Sequence, residues 1–168
     1  KHYERLRRRY AASSGVGRLF LTRLFSVLQR YDSALSEDKS AYQAALPPAV
    51  LQLLHEELCV EHECYASPLN VYLPSYTSAF PDSDGHFGSL GSFYTFRPAE
   101  GCFEANPPFD QGSILACLQH VLRLLCATTK ALGFVVVIPE LERSRALSAV
   151  FRDLEPFRRC KVRFAVGE

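Results

Sequence analysis

From Val16 onward the apolar positions fall at Val16, Leu19, Phe20, Phe25, Val27, Leu28 and Tyr31, with Leu21 and Leu24 between them. That spacing predicts a helix with a wide apolar stripe. The stretch ahead of it, Tyr3–Tyr10, is basic and also helical in pattern. Pro47 and Pro48 open a further predicted helix, Ala49–Leu58, with Val50, Leu53, Leu54 and Leu58 on one side. The period then changes. Val60–Ala66 is short enough for a strand and stops at Ser67–Pro68, and Gly101–Ala105 is a second candidate that stops at Asn106–Pro107–Pro108. Between them, Pro81–Ser92 is rich in Gly, Ser and Asp. Gln111–Leu132 carries a helical period through Ile114, Leu115, Leu118, Val121, Leu122 and Leu125, with Gly133 as its cap. Phe134–Ile138 is a continuous β-branched run, the pattern of a central parallel strand. A polar helix over about Glu142–Asp153 and a last strand, Lys161–Val166, complete the predicted elements.

Strand–helix alternation of this kind predicts an α/β fold, a parallel sheet over residues 58–168 behind a basic helical segment over residues 1–57. In such sheets ligands bind outside the carboxyl ends of the strands. Ser67–Asn70, Asn106–Phe109 and Pro139–Glu140 follow three predicted strands, so they are expected to face one crevice.

Composition narrows the class. Of 168 residues, 48% are hydrophobic and 22% charged, which excludes a disordered tail or a fibre. No apolar run approaches the roughly 18 residues of a membrane span, and no membrane association is expected. Lys1 stands in a charged stretch, so the sequence reads as a trimmed piece of a longer chain, with no signal peptide. The net charge of +1 hides a partition: residues 1–30 are strongly basic, residues 31–110 acidic, and the remainder mildly basic. Such separation suits a polyanion laid along one part of the molecule. Six cysteines form no C-x-x-C pair, which points to a reducing intracellular compartment. Cys117 and Cys126 fit core thiols of the long helix. His55, Cys59, His62 and Cys64 lie on a helix-to-strand segment that aims them in different directions, and no metal site is expected.

Asn106–Pro107–Pro108–Phe109 is the quartet that carries chemistry. The Asn106 amide oxygen can accept a hydrogen bond from an exocyclic amine, and the Pro107 carbonyl can accept a second. Pro108 stiffens the turn, and Phe109 offers a flat face for a planar base or amide. Two acceptors gripping an aromatic amine hold it toward tetrahedral geometry with its lone pair aimed at an electrophile, a positional and electrostatic catalysis. A cationic sulfonium donor is also favoured near an aromatic face. Gly85, Gly88 and Gly91 lack dinucleotide-site spacing and read as a loop, in which Asp82 and Asp84 are either acceptors for a ribose diol or Asx-turn formers. Ser67–Asn70 is either a polar turn admitting the amino-acid end of a cofactor or a simple cap.

Three stretches, Glu63–Asn70, Ser78–Ser89 and Phe103–Phe109, resemble in order and spacing the phosphorylated-CTD-interacting-factor family of cap-specific adenosine N6-methyltransferases, and Phe134–Glu140 is similar to that family's next strand and rim. The resemblance implies a Rossmann-like fold, S-adenosylmethionine as cofactor, a nuclear location, and methyl transfer to N6 of the cap-adjacent adenosine of capped RNA. It implies that Asn106, Pro107, Pro108 and Phe109 hold the adenine. On the cofactor side it places Ala66, Ser67, Pro68, Asn70, Asp82, Asp84, Phe87, Gly88, Glu104 and Ala105. Arg8, Arg23, Pro139 and Glu140 are the expected substrate contacts. Full-length animal members carry a WW module, and the chain has no Trp, so binding to the polymerase tail is not expected of it. An N5-glutamine protein methyltransferase and a non-catalytic RNA-binding or scaffold module remain the alternative readings.

Overall fold

A computed structural model describes residues 2–15, 17–35, 45–140 and 144–163. Three helices come first: α1 (His2–Ser14), α2 (Phe20–Leu35) and α3 (Pro48–Leu58). Then follow β1 (Val60–Ala66), β2 (Ser75–Ser78), a one-turn α4 (Pro81–Asp84), β3 (Gly101–Ala105), α5 (Gln111–Ala127), β4 (Leu132–Val136) and α6 (Arg145–Leu154). The four strands are all parallel, in the order β2-β1-β3-β4. The α/β class and parallel sheet expected from the sequence are thus present, and β1 and β3 keep their predicted bounds.

Local chemistry explains the joints. Pro48 sits in the first turn of α3, where no amide hydrogen is needed. Cys59 alone separates α3 from β1, in the left-handed conformation (φ 53°, ψ 37°) that lets its amide bond back to Leu54. β2 escaped the sequence pattern because it is four residues long and polar. Its side chains bond to β1 instead: Thr77 Oγ1 donates to the Cys64 carbonyl at 2.7 Å and Ser75 Oγ to that of Glu61 at 3.0 Å.

One face of the sheet packs Cys64, Phe103 and Ala105 against Phe93 and the α5 residues Cys117, Val121 and Leu124. On the other, Leu51 of α3 meets Val60 and Leu73, with Cys102 and Val135 beside them. α6 adds Leu147 and Val150 to Ile114 and Leu118. α1 and α2 close on the segment after β2 through Leu6, Tyr10, Val27 and Phe87.

Several expectations are corrected. α5 ends at Ala127 because Thr128 turns extended and its hydroxyl donates to Ala99 at 2.8 Å. Gly133 therefore caps no helix; it lies within β4, opposite Cys102. β4 starts two residues earlier than predicted and, among the described residues, is an edge rather than a central strand. Cys117 is buried but Cys126 is exposed; nine residues make about two and a half turns and put them on opposite sides of α5. The α2 stripe is mostly uncovered, with Leu19, Leu21, Phe25 and Leu28 at 52, 64, 60 and 47% exposure and only Val27 fully buried. Val16 and residues 164–166 of the predicted last strand lie outside the described residues, and 161–163 form no strand.

Candidate active site

The chain goes from β1 outward to β2, then crosses back to β3 on the opposite side of β1. The order therefore reverses between β1 and β3, and the crevice of an open parallel sheet lies outside the carboxyl ends of the strands at that switch point. Ser67–Asn70 leaves β1 and Asn106–Phe109 leaves β3, so two of the three predicted segments are direct neighbours at the switch. Pro139 and Glu140 follow β4, one strand farther out, and Glu140 Oε1 lies 3.4 Å from Arg163.

Ser67–Asn70 is a closed turn. The Ser67 amide and hydroxyl both donate to Asn70 Oδ1, at 2.7 and 2.9 Å, and the Asn70 and Val71 amides return to the Ser67 carbonyl. Ala66, Ser67 and Pro68 are buried and Asn70 is exposed, so the turn shows its outer edge to the crevice while its inner polar atoms are used. At the Asn-Pro-Pro-Phe corner, Pro107 is buried and Asn106, Pro108 and Phe109 are half-buried. Asp110 ends the corner as the cap of α5, accepting from the Ser113 amide at 2.8 Å. The quartet is thus held between a paired strand and a capped helix.

Beneath this edge, Glu63 of β1 stands opposite Glu104 of β3, one on each side of the switch. Both are almost wholly buried. Burial raises the Glu63 carboxyl above its ordinary range, and the amides of Leu73 and Tyr72, which donate to Oε1 at 2.7 Å each, partly offset it. Glu104 Oε1 is buried with no hydrogen-bond partner among the described residues. Burial first, and the neighbouring Glu63 second, push the Glu104 carboxyl up to about 8, so it holds its proton at neutral pH. Two buried carboxyls thus share the switch point, and Glu104 is the one held neutral. The acid at position 63 escaped sequence reasoning; its signal is an acidic residue standing between two buried strand positions, His62 and Cys64.

The loop after β2 serves the helices rather than the crevice. Asp82 pairs with Arg30 of α2. Asp84, fully buried, accepts from Tyr31 Oη at 2.7 Å and Ser83 Oγ at 3.0 Å. Burial raises the Asp84 carboxyl, and those hydrogen bonds partly offset it. Phe87 is fully buried beneath α1, its ring 5.5 Å from that of Tyr10. Gly88 takes φ +92°, and a side chain there would meet Ser13 Oγ at 3.1 Å. Asp82, Asp84 and Phe87 thus contact the helical segment in this structure.

The predicted arginines are displaced likewise. Arg8 is exposed on α1 and Arg23 half-buried on α2. Their neighbours Arg5 and Arg9 reach the β1–β2 connection instead: Arg9 Nη2 donates to Leu73 at 2.8 Å and Arg5 Nη2 to Leu69 at 3.3 Å. Each precedes a buried residue, Leu6 or Tyr10, and that flanking position is the sequence signal. A hollow of about 510 Å3 at the β2 edge is lined by Ser26, Gln29, Arg30, Ser33, Ala34 and Phe80. The proline corner and the Glu104 carboxyl oxygen that has no partner among the described residues lie instead at the switch point.

A four-stranded parallel sheet packed against helices defines an α/β protein. The family model described as "Phosphorylated CTD interacting factor 1 WW domain" matches residues 5–163, and the chain belongs to that family. It is 44% identical over 124 residues to the human mRNA (2'-O-methyladenosine-N(6)-)-methyltransferase and 43% identical over 124 residues to the mouse protein of the same name. Each match covers 72% of this chain and 18% of the relative, so the chain spans under a fifth of their length. Despite the name of the matched model, the sequence contains no tryptophan.

Proposed function

We propose that the chain forms the catalytic edge of a Rossmann-like, S-adenosylmethionine-dependent methyltransferase acting on N6 of the cap-adjacent adenosine of capped RNA, in the nucleus. One observation carries this reading: Asn106–Phe109 and Ser67–Asn70 leave adjacent strands on either side of the strand-order reversal. The likeness to the human and mouse enzymes supports it.

The residues present fit a donor in part. Glu104 Oε1, buried and unpartnered among the described residues, is the atom a bound polar group would satisfy, and the outer edge of Ser67–Asn70 borders the same crevice. Asp84 is buried and held by Tyr31, while Asp82 is an exposed partner of Arg30. When bound, the donor supplies an electrophilic methyl on a cationic sulfur. On this reading the chain itself orients the amine. Asn106 Oδ1 and the Pro107 carbonyl accept the two N6 hydrogens and turn the lone pair toward the donor side. Phe109 stacks on the purine and excludes water from one face. Asn106 Oδ1 and the Pro107 carbonyl would hold the amine's hydrogens while the donor is in place, and the proton the amine gives up would pass to water along the half-buried side of the corner.

Mass spectrometry of a capped, adenosine-initiated oligonucleotide incubated with the 168-residue chain and methyl donor tests the proposal. One added methyl on the first adenine is expected. No transfer, together with no heat of donor binding by calorimetry, overturns it.

A further inference from the structure

A second polar cluster lies on the α5 side of the sheet, apart from the crevice. His120 of α5 is 1% exposed, with the Phe93 ring edge-on at 4.7 Å. Each of its ring nitrogens meets an arginine: Arg97 Nη1 lies 3.3 Å from Nε2 and Arg123 Nη2 lies 3.4 Å from Nδ1. Nε2 is also 3.3 Å from the Phe96 carbonyl. A neutral imidazole has one donor and one acceptor. With Nε2–H given to Phe96, Nδ1 accepts from Arg123, and Arg97 stands against the ring as a second cation, its Nη1 donating to the carbonyls of Tyr94 and Phe96 at 2.9 Å. Burial, and then both arginines, keep the ring neutral.

Two guanidinium groups thus flank one uncharged ring. Both arginines are exposed, and neither forms an ion pair among the described residues. Asp153 shares a groove with Arg123 without pairing to it. The missing counter-charge has a place to come from. Tyr94, with 39% of its surface exposed, shares a hydroxyl contact of 3.1 Å with Tyr65 near the end of β1. α5 starts at the Asn-Pro-Pro-Phe corner and carries His120 and Arg123 down its length, about three turns away. An aromatic face followed by paired guanidiniums is what a single-stranded polynucleotide uses, stacking for the bases and forks for the phosphates.

We propose that Tyr94, Arg97 and Arg123, set around His120, hold the phosphate backbone of the RNA chain that follows the base at the crevice. This rests on the RNA reading above and adds to it the path of the strand.

The test is fluorescence anisotropy of a short labelled single-stranded RNA, without a cap, titrated with the 168-residue chain over a salt series. Each lost phosphate contact lowers the slope of log K against log salt by about 0.7. The paired change Arg97→Ala and Arg123→Ala should lower it by about twice that. Replacing both arginines by lysine should keep the slope, and Lys130→Ala, which removes a charge paired with Glu100, should leave it unchanged. An unaltered slope in the double alanine variant, with an unaltered melting temperature, overturns the proposal. So does a poly-glutamate probe that needs the two arginines while RNA does not, which would mark an acidic protein partner. RNA binding with the expected slope, but no methyl transfer and no heat of donor binding by the unchanged chain, refutes the enzymatic reading alone and leaves the phosphate path standing.

Discussion

Replacing Glu104 by glutamine tests the carboxylate pair at the switch point. The folded chain holds the Glu104 proton up to about 8, against an ordinary 4.5. Between those limits the native state keeps a proton that the unfolded chain releases, so stability falls as pH rises and the loss is complete above 8. At about 1.4 kcal/mol per pH unit, that loss is of order 5 kcal/mol. His62 acts in the opposite sense. Burial pushes its ring down to about 4 from 6.5, so the unfolded chain gains a proton that the native state refuses, and stability falls as pH drops through that window. The two effects cancel between about 4.5 and 6.5, and the wild-type chain should lose stability from 6.5 to 8. The Glu104→Gln variant keeps the shape of the side chain and loses its titration. Its pH profile should lack the loss that Glu104 contributes, and any cost of burying the new amide is the same at every pH. Urea denaturation followed by far-UV circular dichroism at about pH 5, 6.5 and 8.5 brackets both windows. The difference between variant and wild type should move in the variant's favour by several kcal/mol from the lowest pH to the highest, about 2–4 °C of melting temperature for each kcal/mol. A difference that is the same at both ends of the series refutes the reasoning.

Three further outcomes follow from the same geometry. Tyr31→Phe removes the hydroxyl donor to buried Asp84 and should cost about 1–3 kcal/mol in urea denaturation; no change would mean that α2 is not anchored there. Asn106→Ala should retain donor binding by calorimetry and lose methyl transfer, and transfer at the wild-type rate would remove Asn106 from its acceptor role. Phe109→Ala should weaken capped-RNA binding more than donor binding, whereas equal losses in both would count against stacking.

The parts legible in the sequence were those whose pattern is local. β1 and β3 are short segments broken by Ser67–Pro68 and Asn106–Pro107, and the breaks themselves fixed where the crevice segments start. Parallel order followed from the intervening helix α5. What the pattern concealed depends on contacts distant along the chain. Ser75–Ser78 shows no alternation because its hydroxyls bond to β1. Phe87 reads as a loop residue until α1 is laid over it. Leu21 and Phe25 read as core, since periodicity reports an apolar helix without saying which side is covered.

The distribution of acids bears on where a ligand sits. Asp82 and Asp84 lie in a loop that any reading would offer to a polar ligand, yet Arg30 and Tyr31 hold them, so this loop fastens α2 to the sheet. Glu63 is likewise complete, with two amide donors. Glu104 keeps a buried oxygen without a partner among the described residues, and leaving such a group unsatisfied costs about 1–3 kcal/mol. A fold that satisfies the other three acids and leaves this one, two residues before Asn106, sets its polar deficit where a ligand at the switch point offsets it. A neutral carboxyl there can both donate and accept, as a hydroxyl-bearing group requires. Donor binding should therefore weaken as pH rises through about 8, when the carboxyl loses its proton. Calorimetry from about pH 6.5 to about pH 9 on wild type and Glu104→Gln spans that loss, and parallel profiles for the two chains would place the ligand elsewhere.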